Sequence, residues 1–220
     1  MSDNNTQGVL AVAKEFGLEG LVSVGLDFIP FLSSFNNMRK FNRLERRMKE
    51  SSAQLNRISQ LSHNSALAEE YISQRIFPIV LTDLIEEHED AKISLILTGF
   101  ENVFIEEKIE ESIVINYFDT LRNLRYKDIK RFLYLVGEIE SYSLPIIDSE
   151  EEAFISNVDL KLERNGLITI QQVVSFDLKA IQAHEPARYE TNHPANVRIT
   201  PYGSRFLKFI LSNEEIVAES

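Results

Sequence analysis

The chain of 220 residues is 44% hydrophobic and 26% charged, which is enough for one large or two small globular domains. The absence of cysteine excludes disulfide bonds, thiolate chemistry and Cys-based metal sites, and it fits a reducing cytoplasm. A net charge of −11 disfavours a protein whose whole surface binds nucleic acid, because phosphates need a basic face.

The segment 8–32 is the most hydrophobic part of the chain, and it combines four glycines with large apolar residues. Charged residues interrupt it, so its longest apolar run is much shorter than the roughly 20 apolar residues that a membrane span needs. One interpretation is a helical hairpin packed on the body. The other is a segment that docks on a membrane surface or in a partner's groove. Its candidate contact residues are Leu21, Val24 and Leu26.

Residues 36–62 place an apolar stripe opposite seven cations, which predicts one long amphipathic helix with a basic outer face. Such a face is either ordinary solvated surface or a contact for phosphate or anionic lipid. A second basic cluster lies within 116–140. The candidate contact residues of the two clusters are Arg43, Arg46, Arg47, Arg122, Arg125 and Lys130.

Three further helical stretches are predicted at 64–89, with Pro78 as a break, at 91–115, and at 116–140 with a turn at 126–128. His88 stands in an acidic run, but consecutive helical positions point around the whole cylinder and do not converge on a metal. The glutamates of 106–111 are spread along a polar face without a histidine nearby. We therefore expect no metal, no cofactor and no catalytic residue, and a protein that is not an enzyme.

The C-terminal part predicts a helix over 150–164 that ends at Asn165-Gly166, two residues that tolerate positive φ. Strands follow at 167–170 and 197–200, with a long wing between them and a closing helix at 204–211. The expected fold is mainly α: a helical bundle body followed by a C-terminal winged-helix-like α/β module. The expected divisions are 1–62, 63–140 and 141–220.

Three segments together resemble the Abi-alpha family of bacterial and prophage domains over residues 70–211. They are NYFDTLRNLRYKDIKRFLYL, then LERNGLI at Leu162–Ile168, then ITPYGSRF at Ile199–Phe206. Asn165 stands where the family has an apolar residue. The family is linked with abortive infection, in which an infected bacterium stops growing. The resemblance implies a defence protein and brings no catalytic residues.

The first expectation is therefore a non-enzymatic phage-defence or prophage-immunity protein that contacts a phage or host protein. It would be cytoplasmic or peripheral to the inner membrane face, and self-association is a further expectation. The alternative is a winged-helix DNA-binding transcriptional regulator. Five acids on the 150–164 helix would be repelled by a duplex, so nucleic acid is the less favoured partner.

Overall fold

The fold is predominantly helical in the computed structural model, which describes Lys14 and residues 38–67, 70–107, 110–142, 149–171 and 192–211. The expected mainly α class is confirmed. Within these ranges there are eight α-helices and one small antiparallel sheet. The helices and strands are α1 (Met38–Glu50), α2 (Ser52–Asn64), α3 (Phe77–Glu86), α4 (Ile93–Ile105), α5 (Glu111–Asn123), α6 (Tyr126–Leu135), α7 (Glu150–Arg164), β1 (Ile168–Ile170), β2 (Val197–Ile199) and α8 (Pro201–Ile210).

The chain forms two compact units, each with its own internal packing. The first unit holds the described residues of Met1–Asn123 together with those of Lys208–Ser220, and the second unit is Leu124–Leu207. The division therefore falls near Asn123, and not at the expected positions 62 and 140. Helix α8 begins in the second unit, and its last residues belong to the first.

The core of the first unit is built around α4, which packs against α2, α3 and α5. Its sequence is apolar on nearly all sides, as expected of a helix that neighbours surround. The Phe100 ring lies 5.9 Å from Phe77 and 5.1 Å from Phe104, measured between centroids. The buried Asn102 amide donates to the carbonyl oxygen of Phe209 at 2.9 Å. This carbonyl lies in the last turn of α8, where the helix itself supplies no partner.

Two boundaries in the first unit differ from the prediction. The single helix expected over 36–62 is two helices, because Ser51 leaves helical geometry with φ −102° and ψ 18°. Leu55 N still donates to Ser51 O at 3.0 Å, so the apolar stripe continues across the break and hides it from the sequence. Pro78 lies one residue after the point at which a π-helical segment, Tyr71–Ile76, changes into α3, so the expected break is a change of helix type within a continuous helical run.

The chain also breaks at two other places than expected. The predicted helix 91–115 ends at Ile105, and α5 begins only at Glu111. The predicted turn at 126–128 is the first turn of α6. Asp128 accepts a hydrogen bond from the Arg125 amide at 2.9 Å, so the acid satisfies a free N–H at the start of that helix.

Helix α7 has the predicted bounds because both of its ends carry local signals. Ser149 Oγ accepts from the Glu152 amide at 3.1 Å at the N-terminus. At the C-terminus Gly166 has φ +71°, in the left-handed region that glycine adopts without a steric penalty. Leu167 N then donates to Leu162 O at 3.1 Å, which closes the helix as a Schellman motif.

The sheet of the second unit is a pair of antiparallel strands, of which β1 follows α7 and β2 precedes α8. Thr200 then begins α8, since its Oγ1 accepts from the Gly203 amide at 2.8 Å. Gly203 approaches the strand so closely that an added Cβ would lie 1.9 Å from Leu167 O. The paired residues are Ile168 with Ile199, Thr169 with Arg198 and Ile170 with Val197.

The described C-terminal region is thus a helix, a two-stranded sheet and a closing helix; the assignment as a winged helix remains a prediction. Most of the expected wing, 172–191, lies outside the described residues. No helix in the described ranges is both long and apolar enough to cross a bilayer.

Candidate functional site

The arginines of α1 contact the C-terminal end of α3. Arg47 Nη1 donates to the carbonyl oxygen of Leu84 at 2.7 Å, and its Nη2 donates to that of Glu87 at 2.6 Å. Arg43 Nη1 donates to the carbonyl oxygen of Ile85 at 3.3 Å. These guanidinium groups satisfy carbonyls that a helix end leaves without partners. Arg47 is 2% exposed, so its assignment to a basic outer face is wrong.

Asp90 completes this network on the surface of the first unit. It pairs with Arg47 at 2.7 Å and with Arg46 at 2.9 Å, and these hydrogen bonds hold its pKa below the usual range. Arg46 also pairs with Glu50 at 3.1 Å. Lys40 pairs with Glu86. The first basic cluster is therefore largely neutralised by the unit's own acids and carbonyls.

The second basic cluster separates into residues with different environments. Arg122, in the first unit, donates to Asp83 at 2.8 and 3.1 Å and to Asp119 at 2.8 Å. Burial nevertheless raises the pKa of Asp83. Arg125 and Lys130 belong to the second unit and are exposed. The other candidates, Leu21, Val24 and Leu26, lie outside the described residues.

The second unit contains a fully buried ion pair between α6 and α7. Arg131 Nε and Nη2 donate to the two oxygens of Asp159 at 2.8 and 2.9 Å, and both side chains are 0% exposed. Asn192 joins the pair, because its carbonyl accepts from Arg131 at 2.5 Å and its amide donates to Asp159 at 3.0 Å. These hydrogen bonds offset the cost of burying the two charges, although Arg131 Nη1 is buried without a hydrogen-bond partner among the described residues.

Two tyrosines flank the buried guanidinium. The Arg131 Cζ lies 5.4 Å from the centre of the Tyr134 ring and 5.3 Å from that of the Tyr142 ring, within cation–π range. The two rings are 5.6 Å apart between centroids. Tyr142 follows α6 without regular structure, so this stack holds it in place. Burial raises the pKa of Tyr142, which therefore stays a neutral phenol at physiological pH.

Tyr142 forms one wall of an open groove of about 330 Å³ between α6 and the N-terminal part of α7. This volume is at the lower end of the range for ligand pockets, about 300–1,000 Å³. Phe154 is 47% exposed in the groove, whereas Ile155 next to it is buried. The groove is lined by Lys127, Lys130, Ser141, Tyr142, Glu151, Phe154 and Ile155.

The charges in the groove are divided between its two helices. Lys127 and Lys130 of α6 form no ion pair within the described part of the chain, and Lys127 Nζ lies 5.9 Å from the centre of the Phe154 ring. Glu151 of α7 is exposed on the other side. The nearby Lys161 differs from the groove lysines, because it pairs with Asp128 at 2.7 Å. The groove thus combines two cations that have no acidic partner in the described ranges, one acid and a half-exposed aromatic ring.

No other described cluster offers a comparable chemistry. Among the described residues no three His, Asp or Glu side chains converge on a common metal position. Burial, with the charge of Glu111, raises the pKa of Tyr71 to about 12, so this phenol remains protonated and is a poor general base. The acids of the first unit that lie inward, such as Glu87 beside Lys92 at 2.5 Å, are held in ion pairs.

Sequence reasoning missed most of the groove. Lys130 is one of the sequence candidates, whereas Tyr142 and Phe154 are not, and Arg131 belongs to the basic cluster within 116–140. One signal was present: the buried residues of α7 recur at Ile155, Val158 and Leu162, and Phe154 lies off that stripe. An aromatic residue off the core face of a helix is a candidate for contact with a partner.

Comparison of the chain with protein-family models, with curated proteins and with solved structures gives no match. The function is therefore argued from the chemistry of the groove itself.

Proposed function

We propose that this protein acts by binding a partner protein through the groove of the second unit, without catalysing a reaction. Following the resemblance to the Abi-alpha family, the binding serves bacterial defence against phage or prophage immunity. The partner is a phage or host protein that is present in the cytoplasm or at the inner face of the membrane. The single observation that carries the proposal is the half-exposed Phe154 beside two lysines that form no ion pair with the described residues.

The composition of the groove supports a protein partner. Aromatic residues are enriched in protein interfaces, and a few of them supply most of the binding energy. About half of the Phe154 side chain is still exposed, and burying that remainder against a partner is worth on the order of 2 kcal/mol. Lys127 and Lys130 add orientation and a faster encounter with an acidic surface.

The arginines of α1 fit a different role. They are bonded to α3 and Asp90 within their own unit, so they stabilise the fold of that unit. A contact with phosphate or anionic lipid there would have to displace these internal partners. The lysines of the groove would lose no ion pair of the described chain on binding a partner.

A transcriptional regulator is the second candidate, favoured by the arrangement of α7 and the sheet. Arg164 at the end of α7 and Arg198 on β2 are both exposed, at places where a winged helix would contact DNA. Against it, Glu150 and Glu151 lie exposed in the first turn of α7. A duplex lying along this helix would meet those carboxylates.

The test compares two charge-reversed variants of the tagged full-length protein. The groove variant carries Lys127→Glu and Lys130→Glu, and the control carries Arg205→Glu and Lys208→Glu. Both pairs are exposed, three residues apart on a helix, and change the charge equally. Affinity purification from phage-infected and uninfected bacteria, with plaque counts, should show that the groove variant loses partner and protection while the control keeps both.

Equal behaviour of the two variants would contradict a role of the groove. Phe154→Ser should lower recovery of the partner in the same experiment, and circular dichroism checks that every variant remains folded. The regulator is favoured instead if Arg164→Glu with Arg198→Glu, and not the groove variant, abolishes a salt-dependent gel shift.

A further inference from the structure

The division of charge in the groove indicates what kind of segment fits it. We infer that the occupant is a short acidic segment of the partner, with two carboxylates facing α6 and one large apolar side chain lying on Phe154. The inference rests on the proposed function in that the partner is a protein. It adds the chemistry and the orientation of the part that binds.

The two carboxylates are expected from the spacing of the lysines. Lys127 and Lys130 are three residues apart on α6, so they lie on one face of the helix with Cβ atoms about 5–6 Å apart. Two ammonium groups this close repel each other, and a pair of carboxylates at similar spacing relieves both charges. On the partner, acids three or four residues apart on a helix supply this spacing.

The apolar side chain is expected from the base of the groove. Phe154 projects off the core face of α7 with 47% of its surface exposed, next to the buried Ile155. Tyr142 bounds the same space and is held by its stack on Arg131. An aliphatic or aromatic side chain placed there would contact both rings and remove their exposed apolar surface from water.

Glu151 sets the direction of the segment. It is exposed on the α7 side of the groove, where it repels carboxylates and leaves α6 as their place. It also disfavours a nucleic-acid backbone. Such a backbone carries a phosphate on every nucleotide, so some of its phosphates would lie beside the Glu151 carboxylate. A peptide can place its acids on one side only.

The experiment is a selection of short random peptides displayed on phage particles against the purified full-length protein. We expect enriched sequences with two acids and one large apolar residue. A fluorescein-labelled peptide of glutamates around a single phenylalanine is then titrated by fluorescence anisotropy. Reversing Lys127 and Lys130 to Glu should weaken this peptide at least about tenfold. Phe154→Ala should weaken it by about tenfold.

Two matched variants sharpen the result. Glu151→Gln should strengthen binding by a few-fold, because it removes a repulsive charge without changing the shape of the side chain. Arg205→Glu with Lys208→Glu, which makes the same charge change on α8, should leave the affinity unchanged. A glutamine version of the peptide should lose binding, and a version with alanine for phenylalanine should bind as weakly to the wild type as the original does to Phe154→Ala.

Any of these outcomes would overturn the inference: no enrichment of acidic peptides, an equal loss in the groove and control variants, or weaker binding by Glu151→Gln. Stronger competition by a single-stranded oligonucleotide than by the acidic peptide would also overturn it. If the peptide results are as expected but the groove variant still protects bacteria from phage, the proposed function fails and the specificity of the groove stands.

Discussion

Replacing Asp159 by Leu tests how much the second unit depends on its buried ion pair. The change leaves Arg131 with no acid beside it, although the guanidinium is 0% exposed. It also removes three hydrogen-bond contacts, two from Arg131 at 2.8 and 2.9 Å and one from Asn192 at 3.0 Å. Removing one partner of a buried pair costs about 3–5 kcal/mol, because the remaining charge stays in a dry environment.

That loss is a large part of the total stability of a domain, about 5–15 kcal/mol. Since the urea dependence of unfolding is about 1–3 kcal/mol per molar, the midpoint should fall by roughly 2 M. Far-ultraviolet circular dichroism measures the helices, and near-ultraviolet dichroism measures the packing of the aromatic rings, which include Tyr134 and Tyr142. Both signals should show the unfolding of the second unit at a lower urea concentration in the variant than in the wild type.

The double variant Arg131→Met with Asp159→Leu is the control. It removes both charges at similar volume, so it should regain most of the lost stability and can exceed the wild type. Arg131→Met alone should be about as damaging as Asp159→Leu, because it leaves the Asp159 carboxylate buried without its cation. A loss below about 1 kcal/mol for Asp159→Leu would mean that water reaches Arg131, and the description of a dry pair would be refuted.

Two further predictions concern single contacts. Gly203→Ala should destabilise the second unit by about 1–3 kcal/mol or more in urea unfolding, because its Cβ would lie 1.9 Å from Leu167 O; an unchanged midpoint would contradict this close approach. Burial alone would raise the pKa of Glu87, but hydrogen bonds from Lys92 and two backbone amides outweigh it and lower the pKa. The resulting stability is present above the unfolded pKa of about 4.3 and is lost as pH falls through the lower folded pKa, so Glu87→Gln should flatten unfolding profiles between about pH 5 and 3.

The features that the sequence predicted best depend on neighbours in the chain. Helix α7 has the expected bounds, because Ser149 and Gly166 act on the backbone of the helix they terminate. The predicted strands 167–170 and 197–200 agree with β1 and β2 to within one residue at each end, because their β-branched residues favour extended backbone locally. A stop signal of this kind was lacking at Ser51, where the apolar stripe continues, and the break between α1 and α2 was missed.

The role of each charged residue was decided by the tertiary structure. Arg46 and Arg47 are neighbours in one basic run, yet Arg47 is buried against carbonyls of α3 and Arg46 lies at the surface. In the sequence Arg131 is indistinguishable from its basic neighbour Lys130. In the structure its partner is Asp159, which lies 28 positions away in the chain. Charge type and helical spacing give the direction of a side chain, but only the opposing element supplies its partner.

The groove follows the same physical division. The sequence predicted a basic cluster within 116–140 that contains Lys127 and Lys130, and helical periodicity places these two on one side of α6. Tertiary packing decided that these side chains line one space with Tyr142. Such a contact joins residues of α6 and α7, two helices that the buried pair of Arg131 and Asp159 bridges.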